Sequence, residues 1–181
     1  MSLRVRDWRR DVLEVMIASN AAVTSIAEDR ILIASLIEAG RILSSSARQD
    51  ILYLVSIGTQ DEPPPTGFRS VRRRLRLVFD DALALQSGAP VRADIEALID
   101  FAREIDLSKG QLLVHCYAGV SRSAAAAVII LAASLGPGNE PAIADFLARR
   151  YPHCRPNRLM LKLADEALGS EASLERVFYA A

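Results

Sequence analysis

Cysteine is scarce in this chain of 181 residues, which contains only two. Cys116 and Cys154 are too few for the disulfide framework of a small secreted scaffold. They indicate instead a reducing compartment in which a free thiol persists, so the sequence predicts a cytoplasmic protein and leaves thiol chemistry open. A chain of this length can bury a sizeable core without disulfide bonds or metal ions.

Net charge and long apolar runs are also missing. The 22 basic residues are balanced by 22 acidic residues, which argues against a dedicated nucleic-acid binder and means that any anion binding is local. No charge-free apolar run reaches the length that spans a bilayer, and no basic segment followed by an apolar core and a cleavage site opens the chain. We expect neither nucleic acid nor a membrane among the partners.

Hydrophobic residues make up 51% of the chain and fall into short runs that alternate with helical patterns. This order predicts an α/β fold in which a central, mostly parallel sheet of about four to five strands is flanked by helices. The length fits a single domain over residues 1–181, with residues 1–30 as an N-terminal extension. The predicted strands cover residues 12–18, 31–35, 51–57, 75–79 and 112–116, and the predicted helices cover residues 36–47, 94–105, 140–150 and 157–168.

One polar stretch, HCYAGVSRS at residues 115–123, separates an apolar strand from an alanine-rich helix. A short loop at a helix start directs backbone N–H groups into one concavity, where the helix dipole adds positive potential. Gly119 permits a turn that is closed to other residues, and the planar fork of Arg122 suits two phosphate oxygens. We expect Cys116 to act as a thiolate nucleophile towards phosphorus.

The remaining residues of this stretch receive supporting roles. We expect Ser123 to donate a hydrogen bond to the departing thiolate in the second step, and His115 to fix the loop through its ring nitrogens. The residues expected to bind the phosphate group are Tyr117, Ala118, Gly119, Val120, Ser121 and Arg122.

HCYAGVSRS resembles the HCxxGxxR[ST] signature of cysteine-dependent protein tyrosine and dual-specificity phosphatases of the compact bacterial type, and all fixed positions match. The resemblance implies a fold like that of the tyrosine phosphatases. It also implies hydrolysis of phosphomonoesters through a cysteinyl-phosphate intermediate, with no metal or other cofactor. The implied substrate is a phosphorylated protein or peptide.

Two further roles follow from the same resemblance. The family's general acid is an aspartate on the loop after the strand that precedes the crossover helix, which makes Asp80 and Asp81 the candidates. Phe79-Asp80-Asp81 resembles an F-x-D arrangement of bacterial relatives and favours Asp81, although either aspartate could equally cap a helix. PHCRPN resembles the family's Pro-Asn segment before the last long helix, which implies that Asn157 braces the catalytic loop.

Other interpretations stay open. A non-catalytic module that binds phosphorylated residues would use the same loop, whereas a phosphoinositide phosphatase tends to have basic residues there and this loop has no lysine. Sulfur transfer or arsenate reduction also uses cysteines in anion-binding loops, and arsenate reduction needs further redox cysteines.

Cys154 is interpreted as an inert thiol. A solvated face is the favoured interpretation of the basic run Arg69, Arg72, Arg73, Arg74 and Arg76.

Overall fold

The computed structural model describes residue 21, residues 28–170 and residues 173–179. The strands in this part of the chain are β1 (Ile31–Ser35), β2 (Ile51–Gly58), β3 (Arg73–Val78) and β4 (Gln111–Cys116). They form one parallel sheet in the order β1-β4-β2-β3. The predicted α/β class and parallel sheet are confirmed, and the predicted strand at residues 12–18 lies outside the described residues.

Helices connect and cover the strands. Those at 92–104, 140–150 and 158–168 confirm the predicted helices, whereas the helix predicted at 36–47 ends at residue 43. Three serines follow residue 43, and Ser45 Oγ donates to the Ile42 carbonyl at 2.9 Å. Such a side-chain hydrogen bond competes with the backbone hydrogen bonds that would continue the helix. The helices are α1 (Leu36–Leu43), α2 (Arg92–Glu104), α3 (Arg122–Leu135), α4 (Glu140–Arg150), α5 (Arg158–Leu168) and α6 (Ser173–Tyr179).

The sheet separates two apolar cores. Leu112 and Val114 of β4 point into the larger core, which they share with α2, α3, α4 and α5. Leu113 points to the opposite face and packs with Ala39 and Leu43 of α1. These three strand residues are fully buried, which explains why β4 reads as a continuous apolar run and not as an alternating one.

Helix α3 is buried along most of its length, from Arg122 to Ala132. Its alanines, Ala124 to Ala127, are fully buried and allow the helix to approach the sheet closely. This packing fixes the N-terminus of α3 at the edge where the parallel strands end, the edge at which open α/β sheets bind ligands. Within the described residues, no helix combines the length and apolar composition that a membrane crossing requires.

Candidate active site

A loop of five residues, 117–121, joins the end of β4 to the start of α3. Cys116 is the last residue of the strand and is 2% exposed, while Arg122 opens the helix and is 5% exposed. Strand, loop and helix N-terminus therefore occur in the predicted order, and the thiol lies at the base of the loop. Such a helix start offers N–H groups and positive potential to an anion.

Neighbouring segments hold this loop from outside. The Leu36 N–H donates to the Tyr117 carbonyl at 3.1 Å, the Arg155 N–H donates to the Val120 carbonyl at 2.9 Å, and the Asn157 N–H donates to the Ser121 carbonyl at 3.2 Å. Because peptide N–H and C=O groups point in opposite directions, carbonyls bound on the outside turn N–H groups towards the inside of the loop. The backbone thus adopts an arrangement suited to an anion.

Gly119 is required where the loop passes β1. Its φ angle is 75°, and a Cβ at this position would lie 2.6 Å from the Ser35 nitrogen and 2.7 Å from the Ala34 carbonyl carbon. These neighbours are backbone atoms that cannot move aside as a flexible side chain could. The predicted glycine turn therefore also allows the loop to pack directly on the end of β1.

The Arg122 side chain is oriented by one carbonyl group. Its Nη1 donates to the Phe79 carbonyl at 2.8 Å, which turns the guanidinium towards the segment after β3. Its Nε is buried and has no hydrogen-bond partner among the described residues. A buried donor left without a partner is costly, and a bound oxyanion would satisfy it.

Ser123 lies beside the candidate nucleophile. Its hydroxyl oxygen is 3.2 Å from the Cys116 sulfur, and the side chain is fully buried in the first turn of α3. A hydroxyl at this distance can donate to a thiolate, as the sequence predicts for the second chemical step.

A polar row crosses the sheet next to Cys116. The strand register pairs Ser56 with His115 on one side and with Arg76 on the other, so these three side chains share one face. Arg76 Nη1 donates to Ser56 Oγ at 2.8 Å, and Ser56 Oγ lies 2.7 Å from His115 Nε2. The interpretation of Arg76 as part of a solvated face is wrong, because register draws its side chain into this partly buried row. Arg69, Arg72, Arg73 and Arg74 are exposed.

The Cys116 carbonyl indicates the tautomer of His115. A carbonyl oxygen can only accept, so its contact with His115 Nδ1 at 3.4 Å places the proton of the neutral ring on Nδ1. The other ring nitrogen, Nε2, then accepts from the Ser56 hydroxyl, which itself accepts from Arg76. Burial lowers the pKa of His115 to about 4, and the nearby Arg76 and Arg122 act in the same direction. At neutral pH the ring is therefore uncharged.

The depressed pKa of His115 makes the stability of the protein depend on pH. As pH falls below the ordinary value of 6.5, the unfolded chain takes up this proton while folded His115 stays neutral down to about 4. We expect His115 to remove about 2 kcal/mol of unfolding free energy between about pH 7 and about pH 5. Urea unfolding of wild type and His115→Asn across this range measures the difference, and equal slopes for the two proteins would contradict the assignment.

The two candidate acids occupy different positions in the segment after β3. Asp81 Oδ1 accepts hydrogen bonds from Ser121 Oγ at 2.6 Å and from Asn157 Nδ2 at 2.7 Å. Asp80 turns towards Gly88. The Asp80 N–H donates to the Gly88 carbonyl at 2.7 Å, and a Cβ atom added to Gly88 would lie 2.5 Å from Asp80 Oδ2. Asp81, and not Asp80, is therefore in contact with the loop between Cys116 and Arg122.

Asn157 and Cys154 lie on the segment before α5. The Asn157 backbone contacts the loop as expected for a brace, but its side chain binds Asp81 and the Ala82 carbonyl, which the sequence did not predict. The Cys154 thiol lies 3.5 Å from the Gly119 carbonyl. Burial, with a smaller contribution from Cys116, raises the pKa of Cys154 to about 11, so this thiol is neutral at physiological pH.

Comparison with solved structures identifies proteins that share this fold. No protein-family model and no curated sequence matches the chain. Human DUSP28 matches in structure with a TM-score of 0.59 and 23% identity, over 77% of this chain and 90% of that one. Tk-PTP in its active form matches with a TM-score of 0.59 and 19% identity, over 82% and 93%. PTPMT1, in complex with PI(5)P, matches with a TM-score of 0.59 and 20% identity, over 77% and 90%.

These neighbours are dual-specificity and tyrosine phosphatases, so the fold implied by the HCxxGxxR[ST] signature is confirmed. At this level of identity the likeness establishes a shared fold, and one fold hosts many functions. The activity has to rest on the chemistry of the site itself.

Proposed function

We propose that the protein is a cysteine-dependent phosphoric monoester hydrolase that acts on phosphotyrosine in proteins, with dual specificity towards phosphoserine and phosphothreonine to be tested. One observation carries the proposal: Asp81, from the segment after β3, is hydrogen-bonded to Ser121 within the loop that links Cys116 to Arg122. A nucleophile, a cation and an acid thus converge at one edge of the sheet. Phosphoryl transfer through a thiolate requires these three groups.

In the first step the Cys116 thiolate attacks phosphorus while the phosphate oxygens bind Arg122 and the loop N–H groups. The sulfur–phosphorus bond forms as the bond to the ester oxygen breaks, and Asp81 gives its proton to that oxygen. Without this proton, an alkoxide or phenoxide would have to leave. The backbone N–H groups and the guanidinium stabilise the charge that the equatorial oxygens carry in the transition state.

In the second step water attacks phosphorus and the sulfur–phosphorus bond breaks. Asp81, now ionised, accepts a proton from the water, and the electron pair of the breaking bond returns to Cys116. Ser123, at 3.2 Å from the sulfur, donates a hydrogen bond to the thiolate as it forms. The step releases inorganic phosphate and restores both catalytic groups.

The loop side chains support a protein substrate over a phosphoinositide. Tyr117 and Ala118 are exposed, and neither they nor Val120 and Ser121 carry positive charge that would meet a second phosphate. PTPMT1 was solved with PI(5)P, so this lipid is the comparison substrate. If PI(5)P were hydrolysed faster than a phosphotyrosine peptide, the substrate would be a phosphoinositide and not a phosphorylated protein.

The proposal extends to the chain as a whole. The four strands in the described part of the chain form one sheet, which supports a single phosphatase domain over residues 1–181. Both cysteines are free thiols, which supports a reducing compartment such as the cytoplasm.

The identity of the acid provides the test of the proposed function. We expect Asp81→Asn to lower kcat for p-nitrophenyl phosphate by about 10²-fold or more and to remove the alkaline limb of the pH–rate profile, measured without added metal. Asp80→Asn is the matched control, since Asp80 faces Gly88 away from the loop, and its profile should follow that of the wild type.

Two results would overturn this account. If Asp80→Asn loses the alkaline limb and Asp81→Asn keeps it, the acid is misassigned. If the folded wild type binds phosphotyrosine peptides and hydrolyses no ester, the loop is a phosphate receptor and the protein is not an enzyme of this class.

A further inference from the structure

Within the part of the chain that the structure describes, both hydrogen bonds to the Asp81 side chain fall on one of its two carboxylate oxygens. Oδ1 accepts from Ser121 Oγ at 2.6 Å and from Asn157 Nδ2 at 2.7 Å. The donors come from different parts of the chain, one from the loop that ends at Arg122 and the other from the residue that precedes α5. An exposed aspartate on a segment without regular structure is thus attached to two rigid elements.

Asn157 is held in a single orientation. Its Oδ1 accepts the Met160 N–H at 3.0 Å, which caps α5, so the amide group cannot be reversed without losing the cap. Its Nδ2 then faces the segment after β3, where one hydrogen is donated to Asp81 and the other to the Ala82 carbonyl at 3.0 Å. With the side chain 1% exposed, the donor to Asp81 is fixed in place.

These contacts distinguish the two oxygens of Asp81. The Asn157 amide nitrogen can only donate, and the carbonyl oxygen of a protonated carboxyl group accepts hydrogen bonds better than its hydroxyl oxygen does. A proton on Oδ2 leaves Oδ1 as the carbonyl oxygen and keeps both hydrogen bonds, whereas a proton on Oδ1 would compete with the Ser121 donor. We propose that Ser121 and Asn157 are positioning residues that confine the transferable proton to Oδ2 of Asp81. This inference rests on the proposed function, in which Asp81 is the general acid.

The proton has a defined course in this arrangement. In the first step it moves from Oδ2 to the ester oxygen as the phosphorus–oxygen bond breaks and the sulfur–phosphorus bond forms. In the second step Oδ2 receives a proton from the attacking water. Oδ1 keeps its two hydrogen bonds throughout, so the carboxyl group needs no rotation between the steps and its geometry is prepared in advance.

The dependence of rate on the leaving group tests the inference. A basic leaving group needs the proton more than p-nitrophenolate does, so a misplaced acid is most costly for phenyl phosphate. For Ser121→Ala we expect kcat/KM to fall about threefold with p-nitrophenyl phosphate and about thirtyfold with phenyl phosphate. kcat/KM is the right quantity because it reports the first irreversible step, the one that Asp81 assists by protonation.

Three further variants test whether the loss in Ser121→Ala comes from the missing hydrogen bond. Ser121→Thr keeps a hydroxyl group and should restore the wild-type dependence on the leaving group. Asn157→Asp keeps an oxygen to cap α5 but replaces the donor with a like charge, and should show the selective loss seen in Ser121→Ala. Ser134→Ala is the control, because among the described residues this α3 hydroxyl forms its hydrogen bond with the Ile130 carbonyl of its own helix.

A double-mutant cycle separates positioning from general disturbance of the site. In the Asp81→Asn background, Ser121→Ala should have no further effect, because the acid whose proton Ser121 confines is already absent. An equal loss for all leaving groups, or an undiminished loss in the Asp81→Asn background, would overturn the positioning role alone. An inactive wild type would overturn the proposed function, and this inference with it.

Discussion

Replacing Cys116 with serine is expected to abolish the hydrolysis of p-nitrophenyl phosphate, lowering kcat by about 10⁴-fold or more. Serine keeps the approximate shape of the side chain, but its hydroxyl group does not ionise near neutral pH and is a far weaker nucleophile. Because the loop N–H groups and Arg122 are unchanged, the variant should still bind a phosphotyrosine peptide. Loss of turnover with retained binding therefore separates chemistry from recognition.

Cys154→Ser is the matched control for this experiment. The Cys154 thiol is buried, neutral at physiological pH, and contacts the Gly119 carbonyl, a contact that a serine hydroxyl can also make. We expect its kcat to stay within about threefold of the wild type. If Cys116→Ser kept a kcat as high as that of Cys154→Ser, the nucleophile would be another residue.

Arg122→Lys is expected to lower kcat/KM by about 10²-fold to 10³-fold. The guanidinium is anchored through Nη1 to the Phe79 carbonyl, and its buried Nε has no partner among the described residues, so a donor is already oriented for an oxyanion. Lysine keeps the charge but has no planar fork, and it cannot contact the carbonyl and two phosphate oxygens with one geometry. The loss should appear in kcat as well as in KM, since the charge on the oxygens is bound in the transition state.

Arg103→Lys provides the comparison for this variant. Arg103 lies on α2, is exposed and, among the described residues, forms its ion pair with Asp100, so the same substitution there should leave kcat/KM unchanged. A loss in Arg122→Lys confined to stability, with kcat/KM intact in the folded fraction, would show that Arg122 is structural.

The strands were predictable where burial leaves an unambiguous pattern. The continuous apolar runs of β2 and β4 match central strands covered on both faces. β3 begins two residues earlier than predicted, at Arg73, because Arg73 and Arg74 give no apolar signal and the apolar pattern starts only at Leu75. Helix α6 had no predicted counterpart, and its position against α5 is set by tertiary contact.

The site was predictable where its residues are neighbours in sequence. The nine residues 115–123 hold the nucleophile, the cation and the hydroxyl, so one motif placed them together. Ser56 and Arg76 are joined to His115 only by strand register, which apolar runs do not reveal. The contact of Asp81 with Asn157 spans 76 residues and depends on how α5 packs. A buried serine inside the β2 run was the available signal, since such a group needs a partner.

Trapping the covalent intermediate tests the central claim most directly. Ser123→Ala should slow the second step, so that a burst of p-nitrophenol precedes steady turnover and the phosphoenzyme accumulates. Wild type and Ser123→Ala would be quenched during the burst and analysed by peptide mass spectrometry. The account predicts one phosphoryl group per chain, carried on Cys116 and absent from Cys116→Ser. Release of p-nitrophenol with Cys116 unmodified in both proteins, or with the phosphoryl group on another residue, would contradict it.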